Sequence, residues 1–191
     1  MEYKGDIIYI KQILTGKSEA FGLIIDRHKD NVYNLAFRIC GNHEEAEEIA
    51  QDSFLKTYRS LSGFKMKSSF STWLYRIVYN TAISHIRINK KVFLSLEDFP
   101  ADATDFIGSN TSEEEDEAEY RRSLINFALQ KISDDERALI SLYYYEEMSI
   151  EDIADVIGIR ISNIKVKLFR ARQKMLGIIE KVENKKLIYH G

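Results

Sequence analysis

Residues 149–172 read SIEDIADVIGIRISNIKVKLFRAR, a short apolar segment and a basic segment on either side of a glycine. Ser133 and Glu136 stand at capping-box spacing and predict the start of one helix. Ser149 and Asp152 stand at the same spacing, which predicts that a short helix begins there. Gly158 ends this helix, and the three residues after it predict a tight turn. A short helix, a glycine-containing turn and a longer basic helix form the helix-turn-helix pattern.

The basic segment predicts a second helix that is apolar on one side and basic on the other. Ser162 is its N-cap candidate, and we expect the helix to run from Asn163 to about Lys181. The buried stripe recurs at helical spacing and consists of Ile164, Leu168, Ala171 and Met175. The opposite side carries Asn163, Val166, Lys167 and Arg170, flanked by Lys165 and Lys174. Because Arg and Lys read guanine and Asn reads adenine, the pattern predicts a helix in a DNA major groove. A surface helix of an interaction domain is the alternative.

Charge falls into three blocks along the 191 residues, although the formal net charge is only −3. No acidic residue occurs from Ser53 to Lys91, which holds eight cations, and none occurs from Val156 to Ile179, which holds six. Between them, residues 92–119 hold ten acids and no basic residue. Two basic blocks around an acidic spacer indicate two surfaces for one polyanion, and chance drift of solvated helix faces is the alternative.

The acidic stretch also contains the single proline, Pro100, and its apolar periodicity fades. This acidic stretch predicts a flexible linker at residues 92–116. The linker would join two helical domains, at residues 1–91 and 117–191. Helix signals are frequent on both sides and no strand period is found, so we expect an all-α fold whose C-terminal domain is a helix-turn-helix. The chain shows neither a signal peptide nor an apolar run long enough to cross a bilayer, which predicts a cytoplasmic protein.

In the N-terminal domain, the longest apolar stripe predicts a helix at residues 19–40, which Gly41 ends in a left-handed cap. Asn42 and Glu45 resemble a capping box and predict the start of a third helix. A fourth helix is expected from about Phe70 to Lys90, with cations in its last turn as the helix dipole favours.

The basic block of the N-terminal domain alternates cations with aromatic rings. The rings are Tyr58, Phe64, Phe70, Trp73, Tyr75 and Tyr79. Cations can follow a phosphate backbone and exposed rings can stack unpaired bases, although most of these rings are expected in the core. The small, polar and basic loop at 62–69 predicts a pocket for an extruded base.

The third predicted helix is acidic, with Glu44, Glu45, Glu47, Glu48 and Asp52. Acids do not favour DNA, so this face is expected either to meet a protein or simply to be solvated.

Catalytic patterns are not found. His43 begins a sequence that lacks the second histidine of a zinc protease, and no glycine-rich phosphate loop is present. The lone Cys40 is interpreted as a small buried side chain. Glu146 and Glu147 precede a helix cap and are interpreted as solvated. The sequence therefore predicts no catalytic residue, metal, cofactor or small-molecule substrate.

Three segments resemble the extracytoplasmic-function (ECF) sigma factors of the sigma-70 family. Residues 46–58 (AEEIAQDSFLKTY) resemble the segment that binds bacterial RNA polymerase. Residues 70–80 (FSTWLYRIVYN) resemble the promoter-melting segment. Residues 142–154 and 164–172 (LYYYEEMSIEDIA and IKVKLFRAR) resemble the C-terminal helix-turn-helix.

The resemblance implies partners and a role for each segment. Binding to the clamp helices of the polymerase β′ subunit is assigned to Glu44, Glu47, Glu48, Gln51, Asp52 and Lys56. Recognition and melting of the −10 element are assigned to Arg59, Phe64, Lys65, Lys67, Trp73, Arg76, Tyr79, Asn80 and Arg87. Recognition of the −35 element is assigned to Arg160, Ser162, Asn163, Lys165, Val166, Lys167 and Arg170. The resemblance further implies contact with the polymerase β flap, an anti-sigma factor as a partner, and no catalysis of its own.

Two other classes of function remain. A helix-turn-helix regulator would bind duplex operator DNA without polymerase, and an enzyme with a DNA-binding tail would need a catalytic site that the sequence lacks. The aromatic and basic stretch at 56–76 favours the sigma factor, because a duplex-only regulator needs no platform for stacking unpaired bases.

Overall fold

The computed structural model describes the backbone of residues 4–93 and 113–189, and the side chains of residues 5–89 and 117–184. Every regular element in these ranges is helical, which confirms the predicted all-α fold. The N-terminal half contains α1 (Lys4–Leu14), α2 (Ala20–Cys40), α3 (His43–Ser60), a 3-10 turn (Leu61–Gly63) and α4 (Phe70–Phe93). The C-terminal half contains α5 (Glu113–Lys131), α6 (Asp134–Tyr144), α7 (Ile150–Ile157) and α8 (Ile161–Tyr189).

Most of the linker predicted at 92–116 lies outside the described residues. The described backbone is helical at residues 92 and 93, where α4 ends, and at 113–116, where α5 begins.

Helix α2 is the centre of the N-terminal half because it buries one apolar side along its whole length. Its buried side chains are Ala20, Phe21, Ile24, His28, Val32, Leu35, Ala36 and Ile39. The helix ends as predicted: Gly41 has a φ of 76°, and its N–H donates to the carbonyl of Phe37 at 2.7 Å. A glycine adopts this left-handed conformation without the steric cost of a Cβ atom.

A buried carboxylate holds α1 against α2. Asp6 accepts a hydrogen bond from Arg27 at 2.8 Å, and its other oxygen lies 3.0 Å from Nε2 of His28. Burial lowers the pKa of His28, although the charge of Asp6 acts in the opposite direction. His28 lies on the buried side of α2.

Helices α3 and α4 run antiparallel and are joined by a series of polar contacts, here called the polar ladder. Its pairs are Glu45 with Asn89 at 3.1 Å, Glu48 with His85 at 4.0 Å, and Lys56 with Thr81 at 3.2 Å. At the start of α3, Asn42 accepts from the backbone N–H of Glu45 as predicted. The Glu45 carboxylate accepts from Asn89 instead of completing a capping box.

Helix starts in the C-terminal half follow the predicted caps with one exception. Ser133 and Glu136 form a complete capping box before α6, and Ser149 accepts from the N–H of Asp152 before α7. The prediction of Ser162 as the N-cap of α8 is wrong, because Ile161 is already helical. The carbonyl of Arg160 accepts from the N–H groups of the third and fourth residues after it, so the helix begins earlier.

The two halves pack against each other. Helix α7 lies along α4, and α6 lies along α2. The buried side chains of both halves form one continuous apolar cluster. Arg137 of α6 joins two helix ends, since it donates to the carbonyl of Leu129 in α5 and to that of Ile39 in α2, each at 2.9 Å. A guanidinium there satisfies carbonyls that lack helical partners and complements both helix dipoles.

Candidate functional site

Helix α8 presents a basic face to solvent. Its apolar back is Ile164, Leu168 and Ala171, which are buried, together with the half-buried Met175. Every residue predicted to read the −35 element is exposed: Arg160, Ser162, Asn163, Lys165, Val166, Lys167 and Arg170. All of them lie in the first three turns of α8 or immediately before it. This end of a recognition helix is the part that contacts base edges in helix-turn-helix proteins.

Two of the six cations in the C-terminal basic block have partners within the protein. Lys174 donates to Glu136 of α6 at 2.5 Å. The guanidinium of Arg172 lies 5.2 Å from the ring centres of both Tyr143 and Tyr144, within cation–π range. The other four cations, Arg160, Lys165, Lys167 and Arg170, are exposed and make no hydrogen bond, ion pair or cation–π contact with the described side chains.

A second basic site lies where the loop before α4 meets the start of that helix. Phe64 packs its ring against Phe70 and Trp73, with ring centres 5.7 and 5.1 Å apart. A cavity of about 290 Å³ opens beside these rings, here called the loop pocket. Its lining is Gly63, Phe64, Lys65, Lys67, Ser68, Thr72, Trp73, Arg76 and Asp155. Two rings, three cations and a small polar loop can hold an unpaired base and its phosphates.

The structure brings five of the predicted −10 residues together in the loop pocket and leaves four outside it. Arg59, Asn80 and Arg87 are exposed elsewhere on the N-terminal half. Tyr79 is buried, and its hydroxyl donates to Asp135 of α6 at 3.0 Å. Burial, together with the charge of Asp135, raises the pKa of Tyr79 far above its ordinary value. Of the six rings in the basic block, Phe70, Tyr75 and Tyr79 are buried.

The acidic face of α3 is open to solvent. All six residues predicted to bind polymerase are exposed on it: Glu44, Glu47, Glu48, Gln51, Asp52 and Lys56. Leu55 belongs to the same face, with 52% of its surface exposed, and was not identified from the sequence. An apolar residue between Gln51 and Arg59 at helical spacing was the available signal. An exposed apolar side chain rimmed by charges is typical of a protein interface.

Glu146 corrects another sequence-based interpretation. It was expected to be solvated, but only 7% of its side chain is exposed. Arg38 of α2 donates to one carboxylate oxygen at 3.2 Å, and Tyr75 of α4 donates to the other at 2.5 Å. Burial raises the pKa of the Glu146 carboxyl, while the hydrogen bond from Tyr75 and the charge of Arg38 act against this. Arg38 also stacks over the ring of Tyr145, 4.1 Å from its centre.

The described side chains contain no group of three or more His, Cys, Asp and Glu residues that could hold a metal ion. None of the helices in the described part of the chain is long and apolar enough to cross a membrane.

Two family profiles match the chain. Residues 24–92 match "Sigma-70 region 2", and residues 122–175 match "Sigma-70, region 4". An ECF RNA polymerase sigma factor, SigW of Bacillus subtilis, is 33% identical over 172 residues, or 87% of this chain and 92% of the relative. The RNA polymerase sigma-H factor of Pseudomonas aeruginosa is 28% identical over 170 residues, or 86% and 88% of the two chains.

Two solved structures share the fold. CnrH, in a complex with the cytosolic domain of CnrY, has a TM-score of 0.64 and 21% identity, covering 91% of this chain and 96% of CnrH. The sigma factor RpoE of Bartonella quintana, in a complex with the anti-sigma factor NepR, has a TM-score of 0.65 and 23% identity, covering 84% and 96%.

Proposed function

The chain belongs to the ECF subfamily of the sigma-70 family, and from this premise we propose how its surfaces divide the work of promoter opening. As an ECF sigma factor, it binds the RNA polymerase core and directs promoter-specific initiation of transcription. The proposal concerns the domain limits and the residues that carry each step. We assign polymerase binding and −10 melting to residues 1–91, a linker to 92–116, and −35 recognition to 117–191.

Helix α3 is proposed to dock on the polymerase. Its open face combines four acids, Gln51 and Lys56 with the exposed apolar side chain of Leu55. A central apolar residue surrounded by charged groups gives both contact area and a directional preference for a basic partner surface. We assign the partner surface to the clamp helices of the β′ subunit.

The loop pocket is proposed to capture unpaired bases of the −10 element. Phe64 and Trp73 supply stacking surfaces, and Lys65, Lys67 and Arg76 supply phosphate contacts around the same cavity. Stacking of a base on an aromatic side chain contributes about 1–3 kcal/mol, which can offset the cost of unstacking one base-pair step. We place Arg59, Tyr79, Asn80 and Arg87 along the path of the strands on either side of the pocket.

The exposed face of α8 is proposed to read the −35 element in the major groove. Asn163, Lys167 and Arg170 supply the hydrogen bonds that distinguish bases, and Arg160 and Lys165 hold phosphates. The C-terminal domain is also assigned to the flap of the polymerase β subunit.

Further assignments follow from the same family membership. The chain is proposed to have no catalytic activity of its own and to act in the cytoplasm, where RNA polymerase is found. An anti-sigma factor is proposed as a regulatory partner, as in the RpoE–NepR complex.

The observation that best supports this division is the loop pocket, where rings and cations converge on one cavity. The proposed function is tested by run-off transcription on a pool of genomic promoter fragments with bacterial core polymerase, with and without the full chain. Specific transcripts that require the chain are expected. A regulator that only binds duplex operators would produce none.

Charge reversal tests the assignment of α3. We expect Glu48→Lys with Asp52→Lys to abolish co-purification with core polymerase, since surface substitutions of this kind change stability by only about 0.5 kcal/mol. The matched control is Asp26→Lys with Asp30→Lys on α2, which has the same spacing and charge change. Each double variant removes an exposed ion pair, Asp52 with Lys56 or Asp26 with Lys29, and the α3 variant also removes the 4.0 Å contact of Glu48 with His85. Equal binding by the two double variants would contradict the assignment.

A further inference from the structure

Val166 is an apolar residue at the centre of the face that α8 presents to solvent. Its side chain is 48% exposed, whereas Ile164 and Leu168, two residues away on either side, are buried. Two residues of an α-helix are about 200° apart, so Val166 lies on the opposite side of α8 from the core. The exposed part of this side chain therefore meets a partner of the chain rather than the chain itself.

The residues on either side of Val166 are those that distinguish bases in the proposed function. Asn163 and Arg170 lie within about 60° of it around the helix axis, and about 4.5 and 6 Å from it along the axis. All three are exposed, so a groove that receives Asn163 and Arg170 also receives Val166 between them. Its two neighbours carry hydrogen-bonding groups, whereas the valine side chain carries none.

The edges of base pairs in the major groove offer valine one apolar group. They present hydrogen-bond donors and acceptors at guanine, cytosine and adenine, and the 5-methyl group at thymine. A valine packed on that methyl group removes apolar surface of both groups from water. A valine packed on the amino group of cytosine would bury a donor without an acceptor, which is unfavourable. An apolar side chain in this position therefore favours thymine and also disfavours cytosine.

We propose that Val166 selects a thymine in the −35 element by packing against its 5-methyl group. The proposal rests on the function assigned to α8 above, and it adds the chemical identity of one base. From the order of the residues along the axis, this thymine lies between the base pairs read by Asn163 and Arg170. Phe169 is also exposed, but it lies about 120° from Asn163 around the helix, at the edge of the face.

The test replaces thymine by uracil, which lacks only the 5-methyl group. The strongest promoter from the run-off pool is prepared with each thymine of its −35 element, on either strand, replaced in turn. Each uracil template competes with the thymine template, both in excess over polymerase and with transcripts of different length. For the full chain with core polymerase, we expect the thymine template to be preferred about fourfold at one position, which corresponds to about 0.8 kcal/mol for one buried methyl group.

Three variants show which side chain makes the contact. Val166→Ser removes the apolar surface and should bring the template ratio to about one, whereas Val166→Ile should retain the preference. Leu176→Ser is the matched control, because Leu176 is 49% exposed but lies about 15 Å further along α8, and it should also retain the preference. Both templates compete in one reaction, so a general loss of activity cancels from the ratio.

Each outcome decides the proposal. A ratio of one at every thymine overturns it, and this scan of the wild type needs no variant to fold. A preference that Val166→Ser retains and Phe169→Ser abolishes also overturns it, because the contact then belongs to Phe169. So does a sensitive thymine outside the interval between the base pairs whose substitution is no longer penalised in Asn163→Ala and in Arg170→Ala. Failure of the proposed function differs from these results, since the thymine template itself then gives no transcript and both proposals are overturned.

Discussion

The two surfaces assigned to DNA differ in how much of them is open. All seven assigned residues of the α8 face are exposed, whereas the α4 surface is overlaid by α7 and has Tyr79 buried against Asp135. Their chemistry explains the difference. A surface made of cations and amides gains little by burial, since charged groups are costly to desolvate. A surface that carries rings for stacking bases is also apolar enough to pack against protein.

A consequence is that an acid-free basic run in a sequence indicates affinity for a polyanion but not access to it. Both basic blocks of this chain look alike by charge, and only the aromatic content of the first predicts that something can cover it. The following predictions test each side of this difference, from the largest expected effect to the smallest.

The largest effect is expected at the loop pocket. Phe64→Gly, Lys65→Ser, Met66→Gly and Lys67→Ser together should abolish opening of a fully paired promoter by the polymerase complex. Each base-pair step costs about 1.4 kcal/mol of stacking, and this variant has lost the ring and cations that offset it. Permanganate footprinting of unpaired thymines measures opening directly.

Two controls accompany the loop variant. A template already mismatched at −10 should regain activity at least in part, because the cost of melting has been removed. A variant that keeps Phe64 and changes only Lys65, Met66 and Lys67 separates the cations from the ring. Normal opening of the paired promoter by the fourfold variant would show that the pocket does not capture bases.

The next prediction concerns the hydrogen bonds of Arg137, one of which joins the two halves. Arg137→Ala removes hydrogen bonds to the ends of α5 and α2, each made by a charged donor. We expect a loss of about 3 kcal/mol in the free energy of unfolding, since such bonds contribute about 1.5–3 kcal/mol each. Urea denaturation followed by circular dichroism gives the value. Arg121→Ala is the control, because Arg121 makes an exposed ion pair with Glu117, whose loss should cost less than about 1 kcal/mol.

The salt dependence of DNA binding tests the exposed basic face of α8. On a duplex of random sequence, Lys167 and Arg170 read no base, so all four cations are free to meet phosphates. The plot of log affinity against log salt concentration should then have a slope of about −4, at about −0.9 per contact. Lys165→Ala should reduce the slope by about one contact. Lys174→Ala should leave the slope unchanged, because Lys174 is engaged by Glu136. Equal effects of the two substitutions would show that the pairing inside the protein does not persist on DNA.

The smallest effect is a pH dependence of stability at Glu146, which meets Arg38 and Tyr75. A carboxyl with a raised pKa binds more protons in the folded than in the unfolded state. The free energy of unfolding that Glu146 contributes should therefore fall as the pH rises from its ordinary pKa of 4.5, and level off above the raised pKa. The measurement is the difference between the wild type and Glu146→Gln in urea titrations at a series of pH values. Glu147→Gln supplies the baseline for the same substitution at an exposed neighbour, and a difference that grows with pH would contradict the prediction.

Features set by residues close in sequence were predictable. The caps at Ser133, Asn42 and Gly41 join groups three or four residues apart, so their patterns are visible in the chain itself. Ser162 was wrong as an N-cap, because the carbonyl of Arg160 already accepts the first helical hydrogen bonds. The capping box predicted at Asn42 and Glu45 forms only one of its two bonds, since Glu45 accepts from the distant Asn89. The exposed basic face of α8 followed from apolar periodicity alone.

Features set by residues distant in sequence were not predictable. Glu146 meets Arg38 across 108 positions, and Arg137 meets Ile39 across 98. In sequence, Glu146, Arg38 and Arg137 are ordinary charged residues, and only the packing of α6 on α2 brings them to their partners. The position of Asp155 in the lining of the loop pocket was missed for the same reason.

The polar ladder between α3 and α4 has a consequence for where opening starts. Its three contacts progress in opposite directions along the two helices, from Glu45 with Asn89 to Lys56 with Thr81. Sliding or rotating one helix past the other would break all three contacts together, so these contacts favour movement of α3 and α4 as one rigid unit. Under the proposed assignment of α3 to polymerase and of α4 to the −10 element, a polymerase that binds α3 also sets the position of α4 on the DNA. The distance from the polymerase surface to the first opened base pair is then fixed by the protein and does not depend on the sequence being opened.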